Sequence, residues 1–165
     1  MFMCVAITVV GVLTGQHQMP AGMSHDEHLK KMDALNARGA MAMGFDQKAA
    51  VHHFAIEPEG GTISVAVKDR SDERTRVAIR THLKTIAAEF ARGDFSSPVA
   101  THSEVPPGAR DMQRLKADLR YTFESTPDGG RVVIRTSNIQ AVKAVHEFLR
   151  YQIVEHETGD PTSEK

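Results

Sequence analysis

The chain has 165 residues, of which 41% are hydrophobic and 25% charged, and its formal net charge is −1. This length and composition are ordinary for one soluble domain with its own core. The balance of 20 basic and 21 acidic residues argues against the basic surface that a nucleic-acid-binding protein needs. The single cysteine excludes an internal disulfide and a cysteine-rich metal site, whereas nine histidines offer many nitrogen ligands.

Residues 1–22 predict a signal-like apolar segment followed by a flexible linker rich in methionine and histidine. The apolar part, residues 5–13, is too short to span a bilayer and similar in length to the core of a secretory signal. Its β-branched composition would also suit a buried first strand, and no positive charge precedes it. Because a polar linker follows it instead of a turn and a partner strand, we expect export. The protein would be periplasmic or secreted, with no stable membrane span in its mature form.

A helix is predicted within residues 23–40. Ser24 followed three residues later by Glu27 forms a capping box, which is typical of a helix start. We expect this helix to run to about Ala37 and to end before Gly39, since glycine commonly follows a helix end.

Two similar segments, residues 54–65 (FAIEPEGGTISV) and residues 123–134 (FESTPDGGRVVI), indicate an internal duplication. Each places a Gly-Gly pair six residues after a phenylalanine, between stretches in which apolar and polar residues alternate. Such alternation predicts two β-hairpins, and the paired glycines would supply the positive φ angles of tight turns.

A helix is predicted after each hairpin, because residues 79–94 align with residues 145–160 without gaps and both carry an apolar stripe at helical spacing. Each segment ends in Gly-Asp. The glycines predict left-handed helix ends, and Asp94 and Asp160 are expected to bond to backbone rather than to a metal. A further helix is predicted over about residues 107–119.

The predicted fold is therefore α+β. Residues 41–161 would form a single domain of two ββα repeats, 51–94 and 119–160, followed by a tail at 162–165. We expect one four-stranded antiparallel sheet with the helices packed on one face, together with the amino-terminal helix.

Several phrases resemble a family of small exported bacterial proteins: HHF, GG, GDFSSP, PPGARDMQRLK and VHEFLRYQIVEHETGDP. The resemblance covers roughly residues 43–161, and the last phrase is its most specific part. It implies export and a compact fold. Since the family has no established activity, it implies no catalytic residues.

The amino-terminal segment is the first candidate metal site, because thioether sulfur suits Cu(I) and imidazole suits several transition metals. If Ser24 caps a helix, its histidines share one face with Met32. Alternatively, Met32 joins Leu29 and Leu35 in a core stripe and the histidines are only solvated. The candidate ligands here are His17, Met19, Met23, His25 and His28.

Histidines of the folded domain form the second candidate site. Neighbouring residues of a strand point to opposite faces of the sheet. His52 should therefore face the helices, on the same side as Phe54, and His53 should face the other side of the sheet or solvent. If both long helices pack on one face of the sheet, His52, His82 and His146 could meet near one end of it, with His102 covering them. Three imidazoles with an open position would suit a metal or a haem. Buried, hydrogen-bonded histidines are the alternative. The candidates are His52, His53, His82 and His146.

These features favour an exported metal-binding protein, with copper as the metal that best matches the Met/His-rich segment. Three alternatives stay open. The protein could be a metal-free module that binds a small molecule or a protein and forms a homodimer, or it could bind haem. It could also be a small enzyme that uses His52 or His82 as general base with an acid such as Glu89 nearby.

Overall fold

The computed structural model describes residues 23–164, which form an α+β fold of five helices and one four-stranded antiparallel sheet. Two 3₁₀ turns, Gln47–Ala49 and Lys116–Asp118, connect some of these elements. In chain order the elements are α1 (His25–Met43), β1 (Ala50–Glu57), β2 (Gly60–Val67), α2 (Glu73–Arg92), α3 (Ser96–His102), α4 (Ala109–Arg114), β3 (Arg120–Thr126), β4 (Gly129–Arg135) and α5 (Ile139–Glu155).

The sheet confirms the predicted duplication. Its strand order is β1-β2-β4-β3, so the two hairpins meet through their second strands. In the register between β2 and β4, Ile63 lies opposite Val132, and these two residues occupy the same position in the two repeats. A pseudo-twofold axis therefore passes through the centre of the sheet.

The paired glycines lie beside the hairpin turns, not in them. Glu57 pairs with Gly60, so the first turn consists of the two residues between them and the glycines begin β2. Of the four paired glycines, Gly60 alone has a positive φ, of 138°. A Cβ on Gly61 would lie 2.3 Å from Leu149 Cδ1 and 2.4 Å from the carbonyl oxygen of Ala55. Gly61 is thus required because α5 packs directly on the strand backbone.

Helices α2 and α5 cover one face of the sheet, as predicted. Helix α2 packs chiefly on β3 and β4, and α5 chiefly on β1 and β2, so each repeat's helix covers the other repeat's hairpin. The apolar stripes form the core, including Ile79 and Leu83 of α2 and Val145 and Leu149 of α5. Helix α2 begins earlier than predicted, because the Asp72 carboxylate caps it by accepting from the Thr75 N–H at 2.9 Å.

The predicted left-handed glycine cap is confirmed for α2 and wrong for α5. Gly93 ends α2 with a φ of 79°. Helix α5 instead ends at Glu155, and His156 is its cap residue with a φ of −92°. Gly159, with a φ of 73°, lies beyond the end of the helix in the carboxyl-terminal segment.

Helix α1 begins as predicted and ends later. Both bonds of the capping box are present between Ser24 and Glu27, at 3.3 and 3.0 Å. The helix continues to Met43 and ends at Gly44, whose φ is 77°. Gly39 lies inside this helix. Glycine is needed there because a Cβ would collide with the buried side chain of Gln47. Glycine at this position marks a close contact and not a helix end.

The chain between the repeats forms more helix, in shorter pieces, than the sequence pattern indicates. The predicted helix at 107–119 is replaced by α4 and a 3₁₀ turn. Helix α3, which was not predicted, packs against α1, and the Arg38 Nε–H donates to the carbonyl oxygen of Thr101 at 2.9 Å. Helices α1 and α3 together close one end of the helix–sheet interface.

The sheet face that points away from α2 and α5 carries small and polar residues. One row across the four strands consists of His53, Ser64, Arg131 and Glu124. Because such rows interrupt the apolar residues, this face does not form the continuous apolar patch that would favour a protein-binding module. The homodimer stays a prediction. No helix in the described part of the chain is long and apolar enough to cross a membrane.

Candidate functional site

Four histidines from four elements meet at one end of the helix–sheet interface. They are His52 of β1, His82 of α2, His102 at the end of α3 and His156 directly after α5, and we call them the histidine cluster. The rings of His52 and His156 stack with their centroids 5.5 Å apart, and the ring of His102 meets His156 edge-on at 5.2 Å. The ring of Phe45 contacts those of His52 and His82, at centroid distances of 6.5 and 6.0 Å.

Local structure explains how each ring reaches the cluster. His52 alternates with Ala50 and Phe54 on the core face of β1, as predicted. His82 precedes Leu83 on the apolar side of α2. His156 turns back toward β1 because α5 ends directly before it and its N–H still donates to the Gln152 carbonyl oxygen at 3.0 Å.

Polar atoms of the cluster are buried without full hydrogen bonding. The Nε2 of His102 pairs with the Oε1 of Gln152 at 3.1 Å. Among the described residues, His52 Nε2, His102 Nδ1 and Gln152 Nε2 are buried and have no hydrogen-bond partner. Since buried polar groups in proteins are nearly always paired, these atoms indicate a site that an additional molecule could complete.

Burial keeps the cluster uncharged at neutral pH. Burial is the main cause that lowers the pKa of His52 to about 4, with smaller contributions from the nearby His82, His53 and Lys68. Burial also lowers the pKa of His82 to about 4. Burial, with the neighbouring His52 and His102, lowers the pKa of His156 to about 3. Burial lowers the pKa of His102 as well, against the opposing effects of Gln152, Glu155 and Glu104.

The histidine cluster borders a cavity of about 70 Å³, which we call the inner cavity. Its walls are mostly apolar, and Met43 is among the residues that line it. The polar lining residues are the four histidines, Gln152, Ser97 and Thr101. That volume holds a few water molecules or a molecule of a few heavy atoms. It is well below the roughly 300–1,000 Å³ of pockets for drug-sized ligands, so haem would not fit without rearrangement. The apolar walls come from Phe54, Ile63, Val65, Leu83, Ile86 and Phe148.

A second, polar cavity of about 330 Å³ adjoins the first, and we call it the outer cavity. It lies between α1, the start of β1 and the segment that follows α5. His52 and His156 line both cavities, so the stacked pair forms part of the wall between them. The other lining side chains include Met32, Asn36, Gln47, Lys48, Lys68 and Glu157.

His53 points away from the cluster, as its neighbour's position requires. Its side chain is 59% exposed, and its Nδ1 lies 3.0 Å from the Oδ1 of Asp160. The Oδ2 of Asp160 accepts from the backbone N–H of Phe54 at 2.8 Å. Burial raises the pKa of Asp160, but the bonds from Phe54, Thr158 and His53 together lower it. The expectation that Asp160 bonds to backbone is confirmed, and the same is true of Asp94, which accepts from the Ser96 N–H at 2.9 Å.

His146 does not join the cluster, so the expected meeting of this residue with His52 and His82 is wrong. Its Nε2 contacts the carbonyl oxygen of Glu57 at 2.9 Å, and its Nδ1 lies 3.5 Å from a carboxylate oxygen of Glu164. Glu57 is five residues along β1 from His52, a separation of about 16 Å in an extended strand. His146 is therefore a buried, hydrogen-bonded structural histidine near the hairpin turn.

His156 takes a place in the cluster that the sequence did not assign to it. The sequence feature that could have indicated this place is the position of His156 at the end of the apolar stripe of α5. Because α5 covers β1, the end of this helix had to lie over one end of that strand. Which end it covers depends on the packing of the two repeats, and that is a tertiary property.

The predicted amino-terminal ligands are only partly within the described residues. His17 and Met19 lie outside them, and Met23 precedes α1. His25 is exposed, whereas the Nε2 of His28 lies 3.0 Å from a carboxylate oxygen of Glu157. Met32 lines the outer cavity, as noted above, while Leu29 is 47% exposed and Leu35 is buried, so only part of the alternative core stripe forms.

Two further expectations concern chemistry at the site. Within residues 23–164, no three side chains of His, Cys, Asp or Glu are arranged to hold a metal ion. The Oε2 of Glu89 accepts a hydrogen bond from the Ser97 hydroxyl at 2.7 Å, and no described contact joins Glu89 to His52 or His82. The arrangement required for a histidine general base assisted by Glu89 is thus not present in the described part of the chain.

Comparisons with known proteins identified no relative of this chain. No protein-family model matches the chain, and no curated protein or solved structure shows significant similarity to it. The resemblance of the sequence to a family of small exported proteins therefore stays a prediction.

Proposed function

We propose that the protein binds a small, uncharged and mostly apolar molecule in the inner cavity. The observation that carries this proposal is an apolar cavity bordered by buried imidazole nitrogens that have no partner among the described residues. Ligand sites commonly combine apolar walls with a few polar groups that fix the orientation of the ligand. This is the metal-free alternative that the sequence left open.

The polarity of the site selects the class of ligand. The same burial that lowers the pKa values of His52, His82 and His156 would oppose an organic ion in the inner cavity, since such an ion forms no coordination bonds that offset the loss of its hydration. A neutral imidazole carries one N–H donor and one acceptor nitrogen, so a hydroxyl or amide group could pair with either. A short alcohol or amide with an apolar tail fits both requirements.

The proposal is tested by titrating the protein with 1-butanol, butyrate and butylammonium, which are similar in length but differ in charge. Changes in the methyl and aromatic NMR signals of Leu83, Ile86 and Phe148 report binding. We expect 1-butanol to shift these signals in a saturable way and the two ions to leave them unchanged. Equal shifts with all three compounds, or no shift with 1-butanol, would overturn the proposal.

Substitutions in α2 locate the binding site. Ile86→Phe adds bulk to the wall of the inner cavity and should abolish the response to 1-butanol. Val77→Phe adds the same kind of bulk to a side chain of the same helix that is 50% exposed, and it should bind as the unchanged protein does. If both variants bind equally well, the ligand binds elsewhere.

A second candidate function is binding of Cu(I). One observation favours it, since Met43, whose side chain carries a thioether, lines the inner cavity together with the neutral imidazoles of the cluster. Cu(I) prefers such soft and borderline ligands. Because the rings of His52 and His156 are stacked, an ion would require at least one ring to rotate before it could bind. The Met/His-rich amino-terminal segment would be the capture site for the same ion.

Two variants separate these contributions in a Cu(I) titration of the full chain. Met43→Leu removes the thioether at the inner cavity, and Met41→Leu is its control because Met41 is on the same helix and 79% exposed. A triple variant, His17→Ala, Met19→Ala and Met23→Ala, removes the three candidate capture ligands that precede α1 and leaves that helix unchanged. We expect Met43→Leu to lose the tighter binding phase and the triple variant to lose the weaker one. Equal binding by all variants would remove copper as a candidate.

We also propose that the protein acts in the periplasm or outside the cell. The support is the apolar segment at residues 5–13 followed by a polar linker. Mass spectrometry of the protein recovered from fractions of its native host tests this proposal. We expect the protein in the extracytoplasmic fraction to lack an amino-terminal peptide. An intact chain confined to the cytoplasm would contradict the proposal.

A further inference from the structure

The two edge strands of the sheet, β1 and β3, are protected differently. At the β1 edge, the Oδ2 of Asp160 accepts a hydrogen bond from the backbone N–H of Phe54 at 2.8 Å. In the internal repeat, Asp94 is the counterpart of Asp160, and Phe123 is the counterpart of Phe54. Asp94 accepts instead from the Ser96 N–H at 2.9 Å. Within the described part of the chain, the β3 edge therefore lacks the cap that the β1 edge has.

The register of the sheet shows which backbone groups point out of the β3 edge. The N–H of Thr136, directly after β4, donates to the carbonyl oxygen of Glu59, directly before β2, at 2.9 Å. Even-numbered residues of β4 thus point their backbone groups to β2, and its odd-numbered residues point to β3. Since these odd residues pair with even residues of β3, the backbone groups of Tyr121 and Phe123 point outward. Among residues 23–164, these outward groups have no hydrogen-bond partner.

The side chains of β3 are complementary to those of a second β3 strand. When two such strands pair antiparallel with Thr122 on the twofold axis, Arg120 of each strand lies opposite Glu124 of the other. Tyr121 of each strand lies opposite Phe123 of the other, and these two residues can exchange the outward-pointing backbone hydrogen bonds. Opposite charges, aromatic pairs and threonine pairs that face each other across antiparallel strands are all stabilising.

Charge selects this register among the alternatives. Moving the axis by one residue, to Tyr121 or Phe123, places Arg120 opposite a threonine. Moving it by two residues, to Arg120 or Glu124, places like charges opposite each other. Charged side chains usually prevent pairing at an exposed strand edge. On β3 the two charges have opposite signs, and their spacing permits one symmetric pairing.

Arg120 lies opposite a like charge in its own sheet. Its cross-strand neighbour on β4 is Arg135, which pairs with the Glu57 carboxylate at 2.6 Å. Within residues 23–164, no carboxylate forms an ion pair with Arg120. Glu124 pairs with Arg131 of β4, but its side chain is 43% exposed, so an arginine of a second copy can approach its carboxylate from the open edge.

We propose that the β3 edge is a dimer interface, at which two copies of the chain join their four-stranded sheets through antiparallel β3 strands. A second copy fits better than an unrelated peptide, because the charges, the aromatic side chains and the backbone groups all match when the strand meets itself. Since the pairing covers one short strand, the dimer should be weak and its population should depend on concentration. The histidine cluster is at β1, the opposite edge, so the interface does not rest on the proposed function.

Sedimentation equilibrium of the full chain at rising concentration measures the dimer, and amide hydrogen exchange locates it. When most of the protein is dimeric, exchange at the N–H groups of Tyr121 and Phe123 should slow by at least about tenfold. The N–H of Thr122 points to β4 and is bonded in the monomer already, so it is the internal control. Exchange at Tyr121 and Phe123 that does not depend on concentration would overturn the proposal.

Charge reversal tests the register. In Arg120→Glu alone or Glu124→Arg alone, like charges lie opposite each other at both ends of the interface, so the dissociation constant of the dimer should rise at least about tenfold. In an equimolar mixture of the two variants, every glutamate faces an arginine again, and the heterodimer should form as readily as the unchanged dimer. Lys143→Glu, at an exposed position of α5, is the control and should leave the dissociation constant unchanged.

The mixture also distinguishes the β3 edge from association through other parts of the chain. Residues 1–22 are identical in the two variants, so association through them would be the same in each variant alone and in the mixture. Recovery in the mixture alone would identify the proposed pairing and would show that both variants are folded. Equal dimerisation of every sample, or a monomer at all concentrations, would overturn the proposal.

Discussion

The imidazole rings of His52 and His156 stack 5.5 Å apart, although one belongs to the first strand and the other follows the last helix. Burial disfavours the charged form of both rings and lowers their pKa values, with smaller contributions from neighbouring basic groups. The folded protein therefore excludes protons that its unfolded chain would bind, and this difference links the stability of the protein to pH.

The free energy of unfolding should fall as the pH is lowered from about 6.5 to about 4. The pKa values of His52 and His82 are lowered to about 4 in the folded state, so the unfolded state binds more protons within that range. Stability from this source is fully present above the unfolded pKa of 6.5 and is lost as the pH approaches 4. One such histidine can account for up to about 3 kcal/mol. Urea unfolding at several pH values measures the slope, and a flat profile between these limits would contradict the assignment.

Replacing His82 by leucine should flatten that profile. The substitution removes a histidine that must lose its proton on folding and leaves an apolar side chain against Phe45. We expect the variant to exceed the unchanged protein by about 1–2 kcal/mol near pH 5 and to differ little near pH 7.5. His25→Gln, at an exposed position, is the control and should keep the original slope. If both variants show the same pH dependence, His82 is not one of the groups responsible.

Gly61→Ala should destabilise the protein more than Gly130→Ala does. A Cβ on Gly61 would meet the carbonyl oxygen of Ala55 at 2.4 Å, and a backbone atom inside a strand cannot move away. A Cβ on Gly130 would chiefly meet the ring of Phe123 at 2.7 Å, which is a side chain of an edge strand. Overpacking of the first kind should cost about 2–3 kcal/mol and the second about 1 kcal/mol. Thermal unfolding compares the two, and equal losses would show that the close approach of Gly61 to the Ala55 carbonyl does not decide the cost.

Asp160→Ala should release the carboxyl-terminal segment from the edge of β1. The carboxylate accepts from the Phe54 N–H and contacts His53, and a hydrogen bond to a charged group contributes about 1.5–3 kcal/mol. We expect a loss toward the lower end of that range and faster amide exchange at Phe54. Asp160→Asn keeps one acceptor oxygen and should lose less. Asp33→Ala removes an exposed carboxylate that pairs with Lys48, and it should change neither quantity.

Much of the fold could be predicted because its signals are local. Alternation of apolar residues, the capping box at Ser24 and Glu27, and the two Gly-Gly hairpins all depend on neighbours in sequence. Several of the errors concern glycines. Gly39 reads as a helix end and the paired glycines read as turns, whereas Gly39 and Gly61 are needed because another element packs closely on them. A close approach of this kind depends on residues far away in the chain.

The sequence by itself determined the duplication, the α+β class, and the side of β1 on which His52 lies, because strand alternation and helical spacing follow from backbone geometry. It also supplied the histidines. Only the tertiary structure decided which of them meet. Helix α5 crosses onto the first hairpin and ends above the start of β1, which brings His156 to His52 and leaves His146 near the hairpin turn. The physical reason is that burial and pairing are properties of the packed helix–sheet interface, and burial is what makes these imidazoles neutral.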